Sequence, residues 1–177
     1  MSLSLSMLNL FESGIFKSEI ILRRNEYLKN NDSIDTSIYY IKEGAVRVFI
    51  MDSEEERTVR FGYEQNIITS LDSFLLEDKS DFIIQAIKKT IVLKASKKDF
   101  YEFVRSSTDN LNMYHEILEN LIVQQLEREK DLLTNSPKER YERVLRRSPQ
   151  LFQLIPNKYI ANYLRMTPET LSRLKKS

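Results

Sequence analysis

The sequence predicts an α+β protein: an amino-terminal antiparallel β-barrel or jelly roll, then one long helix, then a small helical unit at the carboxyl end. Three observations carry this reading. Short segments rich in Ile, Val, Tyr and Phe recur between polar breaks from residue 19 to 100. An apolar stripe with spacings of three and four runs from residue 109 to 133. Two short helices, each opening on or beside a proline, close the chain.

The strand series begins with SIYYI (37–41), followed by the polar break KEG (42–44) and then AVRVFI (45–50). Val46, Val48 and Ile50 alternate with Arg47, Phe49 and Met51, as in a strand with two distinct faces. The charged stretch MDSEEER (51–57) predicts a hairpin, and TVRFGY (58–63) returns from it. FIIQAI (82–87) and IVLKA (91–95) complete the series, whose spacing suits a closed or sandwiched antiparallel fold.

The period then changes. KKDFYEFV (97–104) reads as a short helix. A longer one follows, with Asp109 or Thr108 as its cap. Its stripe comprises Leu111, Tyr114, Leu118, Leu121, Ile122, Leu126 and Leu133, interrupted by Gln125 and Arg128, so it is not a strict heptad. At about 1.5 Å per residue the helix extends roughly 37 Å, longer than cover for a small barrel requires. Its seam is therefore a candidate subunit interface through Tyr114, Leu118, Leu121, Ile122, Gln125 and Leu126. The expected division is 1–108 for the barrel, 109–134 for the long helix and 135–177 for the terminal helical unit.

In that unit Ser136 caps a helix that has Pro137 at its first position and runs to about Arg147. The last stretch, IPNKYIANYLRMTPETLSRLKKS (155–177), reads as two helices around the turn RMT (165–167). Ile160, Ala161 and Leu164 share a face of the first. Thr167 caps the second, Pro168 starts it, and Leu171 and Leu174 point inward. Glu169, Ser172, Arg173 and Lys176 fall outward. This is the layout of a helix-turn-helix, whose second helix enters the major groove with its first turn leading. The candidate DNA contacts are Arg165, Thr167, Glu169, Thr170, Ser172, Arg173, Lys175 and Lys176. Arg173 suits bidentate contact with guanine, and Lys175, Lys176, Arg146 and Arg147 suit phosphates.

Charge agrees with this placement. From residue 138 onward the chain holds ten Lys/Arg against three acids, a net +7; the preceding 137 residues hold 17 bases and 23 acids, a net −6. A basic end on an acidic body is the electrostatic footprint of a nucleic-acid-binding module. The absence of cysteine excludes disulfides, thiolate nucleophiles, zinc–thiolate sites and iron–sulfur clusters. His115, the only histidine, falls on the long helix and reads as a surface or interface residue rather than a haem ligand. No phosphate-loop, zinc-protease or nucleophile-elbow motif occurs, so neither an enzyme nor a bound metal or cofactor is expected. The start, MSLSLSMLNLF, lacks a basic region and a clear cleavage site and does not read as a signal peptide. No apolar run approaches the length of a membrane helix. A cytoplasmic location without membrane attachment is expected.

The segment YIANYLRMTPETLSR (159–173) resembles the recognition segment of the bacterial CRP/FNR family of transcription regulators. In that family a Glu, followed four residues later by an Arg, reads bases; Glu169 and Arg173 match. Pro168 stands where the family often has another Arg, and Arg165 where its turn usually has Gly. The family continues into a two-stranded wing, and with the sequence stopping at Ser177 the wing is expected to be missing or much reduced. YYIKEGAVRVF (39–49) resembles the family's cyclic-nucleotide-binding barrel, in which a Gly opens a strand after a tight turn. The resemblance covers nearly the whole chain. It implies a homodimer, joined through the long helix, on a palindromic double-stranded DNA operator, with a small-molecule effector of unknown identity and RNA polymerase as further partners.

The resemblance weakens at the effector pocket. Relatives that bind cAMP hold it in a cassette with a Gly-Glu pair and, ten residues after the Glu, Arg-Ser or Arg-Thr. An ungapped alignment places Thr69 and Ser70 at Gly-Glu, with Leu71 following, and Ser80 and Asp81 at Arg-Ser. The phosphate-neutralising cation is gone and an acid stands beside its place. The expectation is a regulator that does not respond to cAMP; the competing reading lets Lys79 or Lys88 replace the arginine. Two other functions remain open: a sensing module that acts on a protein partner through its terminal helices, and a small enzyme on a β-barrel.

Overall fold

The computed structural model describes residues 10–176. Most of the stretch read for a signal peptide, residues 1–9, lies outside these, as does Ser177.

Eight strands form two four-stranded antiparallel sheets: β1 (Ser18–Leu22), β2 (Tyr27–Lys29), β3 (Ile38–Glu43), β4 (Ala45–Asp52), β5 (Glu55–Tyr63), β6 (Ile67–Ile68), β7 (Ile83–Ala86) and β8 (Thr90–Ala95). Strand order is β1-β8-β3-β6 in one sheet and β2-β7-β4-β5 in the other, a jelly-roll sandwich. Tyr39, Ile41, Val46, Val48, Ile68, Ile84 and Val92 fill the space between the sheets. Gly44 enters β4 at φ +99°, and a Cβ there would sit 2.5 Å from the Lys89 carbonyl and the Thr90 hydroxyl. That hydroxyl instead accepts from the Ala45 N–H at 3.1 Å, so the turn needs both glycine's freedom and its lack of bulk. The 51–57 stretch does turn as a hairpin, with Ser53 at φ 58°. In β5 one residue bulges opposite the Val48/Phe49 step of β4.

Seven helices lie wholly within the described residues: α1 (Leu71–Leu76), α2 (Lys97–Arg105), α3 (Thr108–Leu133), α4 (Pro137–Arg147), α5 (Leu151–Leu154), α6 (Asn157–Tyr163) and α7 (Pro168–Leu174). α1 lies in a region expected to hold only strands and turns. At six residues it is too short for its period to register, and it is held by Phe74 packing on Phe100 and Tyr101. α3 is capped by Ser107, whose hydroxyl accepts from the Asn110 N–H at 3.1 Å, rather than by Thr108 or Asp109. Ser96, Ser136 and Thr167 cap α2, α4 and α7 in the same way, and prolines start α4 and α7.

Both faces of β4 are buried: on the face opposite Val46 and Val48, Arg47 is 4% exposed and Phe49 1%. The carboxy-terminal helices cover this sheet, and Val144, Leu151, Ile155, Tyr159, Ile160, Ala161, Leu164 and Leu171 form one apolar cluster with Ala45 and Ile87. Arg47 is tolerated there because its guanidinium bonds Glu56 through two nitrogens, at 2.5 and 2.8 Å, and Gln85 at 2.6 Å, between the rings of Phe49 and Tyr159. Glu56 is in turn held below the usual carboxylate range, chiefly by its hydrogen bonds to Arg47. No helix among the described residues is long and apolar enough to cross a membrane.

Candidate nucleic-acid interface and effector cassette

α6 and α7 meet across a tight turn. Ala161 of α6, Leu164 at its end and Leu171 of α7 are fully buried, so the small Ala161 lets the two helices cross closely. Arg165 stands at φ 52°, a left-handed position that disfavours any residue but glycine. One side chain from another helix steadies this turn. Arg140 of α4 donates from Nε to the Leu164 carbonyl at 2.9 Å and from Nη2 to that of Arg165 at 3.1 Å. Its Nη1 donates to the carbonyls of Thr134 and Asn135, at 2.6 and 3.0 Å, just beyond the end of α3. Sequence reasoning counted Arg140 only as positive charge; no local signal marks a guanidinium whose four acceptors all come from backbone carbonyls.

The outward face of α7 carries Glu169, Ser172, Arg173 and Lys176, all exposed, around a shallow hollow that Pro168 also lines. Thr167 accepts from the Thr170 N–H at 3.3 Å. The Glu169 carboxyl is held below its ordinary range by its own backbone N–H and by the Thr167 hydroxyl. Two expected phosphate contacts are engaged internally. Lys175 donates to the Asn157 side-chain oxygen at 2.6 Å. Arg147 and Arg143 converge on Asp131 of α3, which is 1% exposed; the shortest contact, Arg147 Nη2 to Asp131 Oδ2, is 2.5 Å. These ion pairs fasten α4 to the long helix. Arg146 and Arg165 remain exposed.

Along α3, Ile122, Val123, Leu126 and Leu133 are exposed, as is Gln125, and Leu118 and Leu121 are half-buried. Tyr114 points the other way. Its ring packs edge-on against Phe100 and Tyr101 of α2, and burial lifts its hydroxyl to about 12. His115 is exposed beside it.

The cassette segment is closed on itself. The Ser70 and Ser80 hydroxyls, both buried, meet at 3.0 Å. Thr69 donates to the Ser37 carbonyl at 2.9 Å. Leu71 is the half-buried first residue of α1, and Asp81 is exposed. Neither Lys79, paired at the surface with Asp32 at 3.0 Å, nor the exposed Lys88 is the cation bonded to this segment. That cation is Lys29 of β2. It is 4% exposed, and its ammonium donates to the carbonyls of Asn30, Ser80 and Phe82 at 2.7–2.9 Å. Burial lowers its pKa, against the pull of Asp72, Asp35, Asp81 and Asp32. Sequence reasoning missed Lys29 because it stands forty residues ahead of the start of the cassette at Thr69.

A model of the cyclic nucleotide-binding domain matches residues 19–107, half of the chain. The chain belongs to the cyclic nucleotide-binding domain family. The match begins at the second residue of β1 and ends at the Ser107 cap, so it takes in all of the sandwich but Ser18, together with α1 and α2. Solved structures share the fold over more than this domain. A mutant of CooA from Carboxydothermus hydrogenoformans is 21% identical, with a TM-score of 0.70 over 96% of this chain and 82% of that one. FixK2 from Bradyrhizobium japonicum is 17% identical, with a TM-score of 0.70 over 90% and 82%. The Thermus thermophilus catabolite activator protein is 20% identical, with a TM-score of 0.59 over 99% and 85%. These likenesses place the cyclic nucleotide-binding domain, α3 and the terminal helices in one shared architecture. No curated protein sequence matches significantly.

Proposed function

We propose that this chain is a transcription regulator of the CRP/FNR type, which binds a palindromic DNA operator as a homodimer. One observation carries the reading: α7 presents Glu169, Ser172, Arg173 and Lys176 on a free face while Leu171, on its other side, is 0% exposed beneath it. A helix held from behind with charged and hydroxyl groups facing out is suited to a major groove, where Arg173 can bond a guanine and Glu169 a cytosine. Lys176, Arg146 and Arg165 supply phosphate contacts; Arg147 and Lys175 serve mainly to hold the helices together. In this reading residues 1–108 are a sensor barrel, 109–134 a dimerisation helix and 135–177 the DNA-binding unit. The exposed Ile122 and Leu126 of α3, 59% and 52% accessible in the single chain, are the seam that a second copy covers. Tyr114 belongs to the protein's own core instead.

We also propose that cAMP is not the effector. The Ser70–Ser80 contact spans the cassette where the family's Glu and Arg are expected, and the buried cation bonded to this segment, Lys29, already has three carbonyl acceptors.

The test is binding to duplexes selected from genomic fragments and to random duplexes at physiological salt. Arg173→Ala should lose about 1–3 kcal/mol on the selected site and relax preference at one base position per half-site. Equal binding of selected and random duplexes by the unaltered protein would show that it is not a specific regulator, and would favour a module acting on a protein partner.

A further inference from the structure

β5 is the outer strand of its sheet, and its outward backbone groups need partners or cover. Around Arg57 they are taken by two side chains from outside the barrel. The Asn162 carboxamide of α6 donates from Nδ2 to the Glu56 carbonyl at 2.7 Å and accepts at Oδ1 from the Thr58 N–H at 2.8 Å. Bonding the carbonyl of one residue and the N–H two residues on is how a residue of a parallel neighbouring strand pairs. Asn162 thus stands in for a strand with a single planar group. Arg128 of α3 donates to the next outward atom, the Thr58 carbonyl, at 3.3 Å. Its guanidinium also lies 3.8 Å over the ring centroid of Tyr163, which leans on Phe61 of β5. Barrel edge, long helix and the first helix of the terminal pair therefore meet at three consecutive outward backbone atoms.

We propose that Asn162 is a positioning residue for DNA recognition, which fixes the angle between α7 and α3 and so sets the half-site spacing that the dimer accepts. The inference rests on the DNA-binding reading above. The α4–α7 unit joins α3 through residues 134–136 and is stapled there by Arg140 and Asp131. Those contacts lie near the pivot. Asn162 bonds a different element, the barrel, and adds two directional hydrogen bonds away from the pivot to the non-directional apolar contact around Ala45 and Ile87, which together resist rotation about the first anchor. Only two residues separate Asn162 from Arg165 in the turn that leads to α7, so the constraint passes directly to the reading helix. Spacing is sensitive to such rotation, since one added base pair moves a half-site by about 3.4 Å and turns it by roughly 35°. Asparagine is suited because a carboxamide offers a donor and an acceptor side by side. Aspartate lacks the donor, and leucine keeps the volume while lacking both.

The experiment uses the full chain and palindromes built from one selected half-site, with the centre-to-centre spacing varied by single base pairs. The unaltered protein should show one preferred spacing and bind its neighbours about tenfold more weakly. Asn162→Leu should flatten this profile to roughly threefold or less, as expected when two hydrogen bonds are lost from the junction, while the base preference that depends on Arg173 stays as it was. Arg128→Met approaches the junction from α3 and should flatten the profile too, so a folding defect in one variant does not decide the matter. Amide exchange at Thr58, read without DNA, should quicken about tenfold in Asn162→Leu. Wild-type spacing profiles in both folded variants, or an unchanged Thr58 exchange rate, would overturn the proposal. Failure of the DNA-binding reading shows differently: the unaltered protein would not discriminate selected from random duplexes. That result would also end the positioning role, with Thr58 exchange still reporting the junction itself.

Discussion

Replacing Arg140 by methionine tests how the turn between α6 and α7 is held. Methionine keeps most of the aliphatic stem and removes a guanidinium that donates to four carbonyls at 2.6–3.1 Å. Hydrogen bonds from charged donors are worth about 1.5–3 kcal/mol each when the partner is left buried and unmet. Here Arg140 is half-exposed, and so are some of its acceptors. Water can replace part of the loss, and a net cost of about 2–4 kcal/mol follows. For a chain of this size that lowers the melting temperature by roughly 5–15 °C. The same substitution should unsettle Arg165, whose left-handed conformation costs about 1–2 kcal/mol and persists only while its surroundings hold it. Arg165→Gly removes that strain, so the pair of substitutions should cost less than the sum of the single changes. Thermal melts followed by circular dichroism give the stabilities, and amide exchange across residues 164–167 reports the turn. A melting temperature for Arg140→Met within 2 °C of the unaltered protein, or strictly additive effects, would refute the idea that this guanidinium organises the turn.

Three further outcomes are expected. Glu56 titrates below its ordinary value because Arg47 binds its charged form, so its contribution is present above the unfolded-state value of 4.5 and is lost as pH falls through the lower folded value. The stability gap between the unaltered protein and Glu56→Gln should therefore be constant near neutrality and begin to narrow only as pH falls below about 4.5 in denaturant titrations; a gap that narrows well above that pH, or does not narrow at all in acid, would contradict this. Charged residues at Leu118 and Ile122 should convert a dimer to monomers and abolish palindrome binding, and light scattering that finds the unaltered protein monomeric at tens of micromolar, on the order of 10⁻⁵ M, would remove the basis for the seam. Calorimetry with cAMP or cGMP should show no saturable heat at ~100 μM, because loss of one charge-assisted phosphate contact costs about 1.5–3 kcal/mol; micromolar affinity would mean that the Ser70–Ser80 closure opens to admit a ligand.

Local sequence was enough for much of the architecture. Recurring segments rich in Ile, Val, Tyr and Phe located β3, β4, β5, β7 and β8, with alternation marking β4; the three-and-four spacing located α3; Ser136-Pro137 and Thr167-Pro168 marked the starts of α4 and α7. These are short-range signals, set by neighbours a few residues apart and therefore written into the chain itself. The outward set on α7 follows from the same helical period. What the sequence could not settle is which charged groups are free. Arg140, Arg143 and Arg147 look alike as members of a basic tail, and only the packing of α4 on α3 gives Arg147 to Asp131 and Arg140 to the turn. Arg47 is one member of a strand's second face until the ring of Tyr159 covers it, and Lys29 acquires its place under the cassette only when β2 pairs with β7. Asn162 is one more polar residue on a short helix until it meets a strand edge 104 residues earlier in the chain. Each of these roles depends on a partner distant in sequence, and a charge or an amide carries no local mark of the partner it will find; the tertiary structure alone decides it.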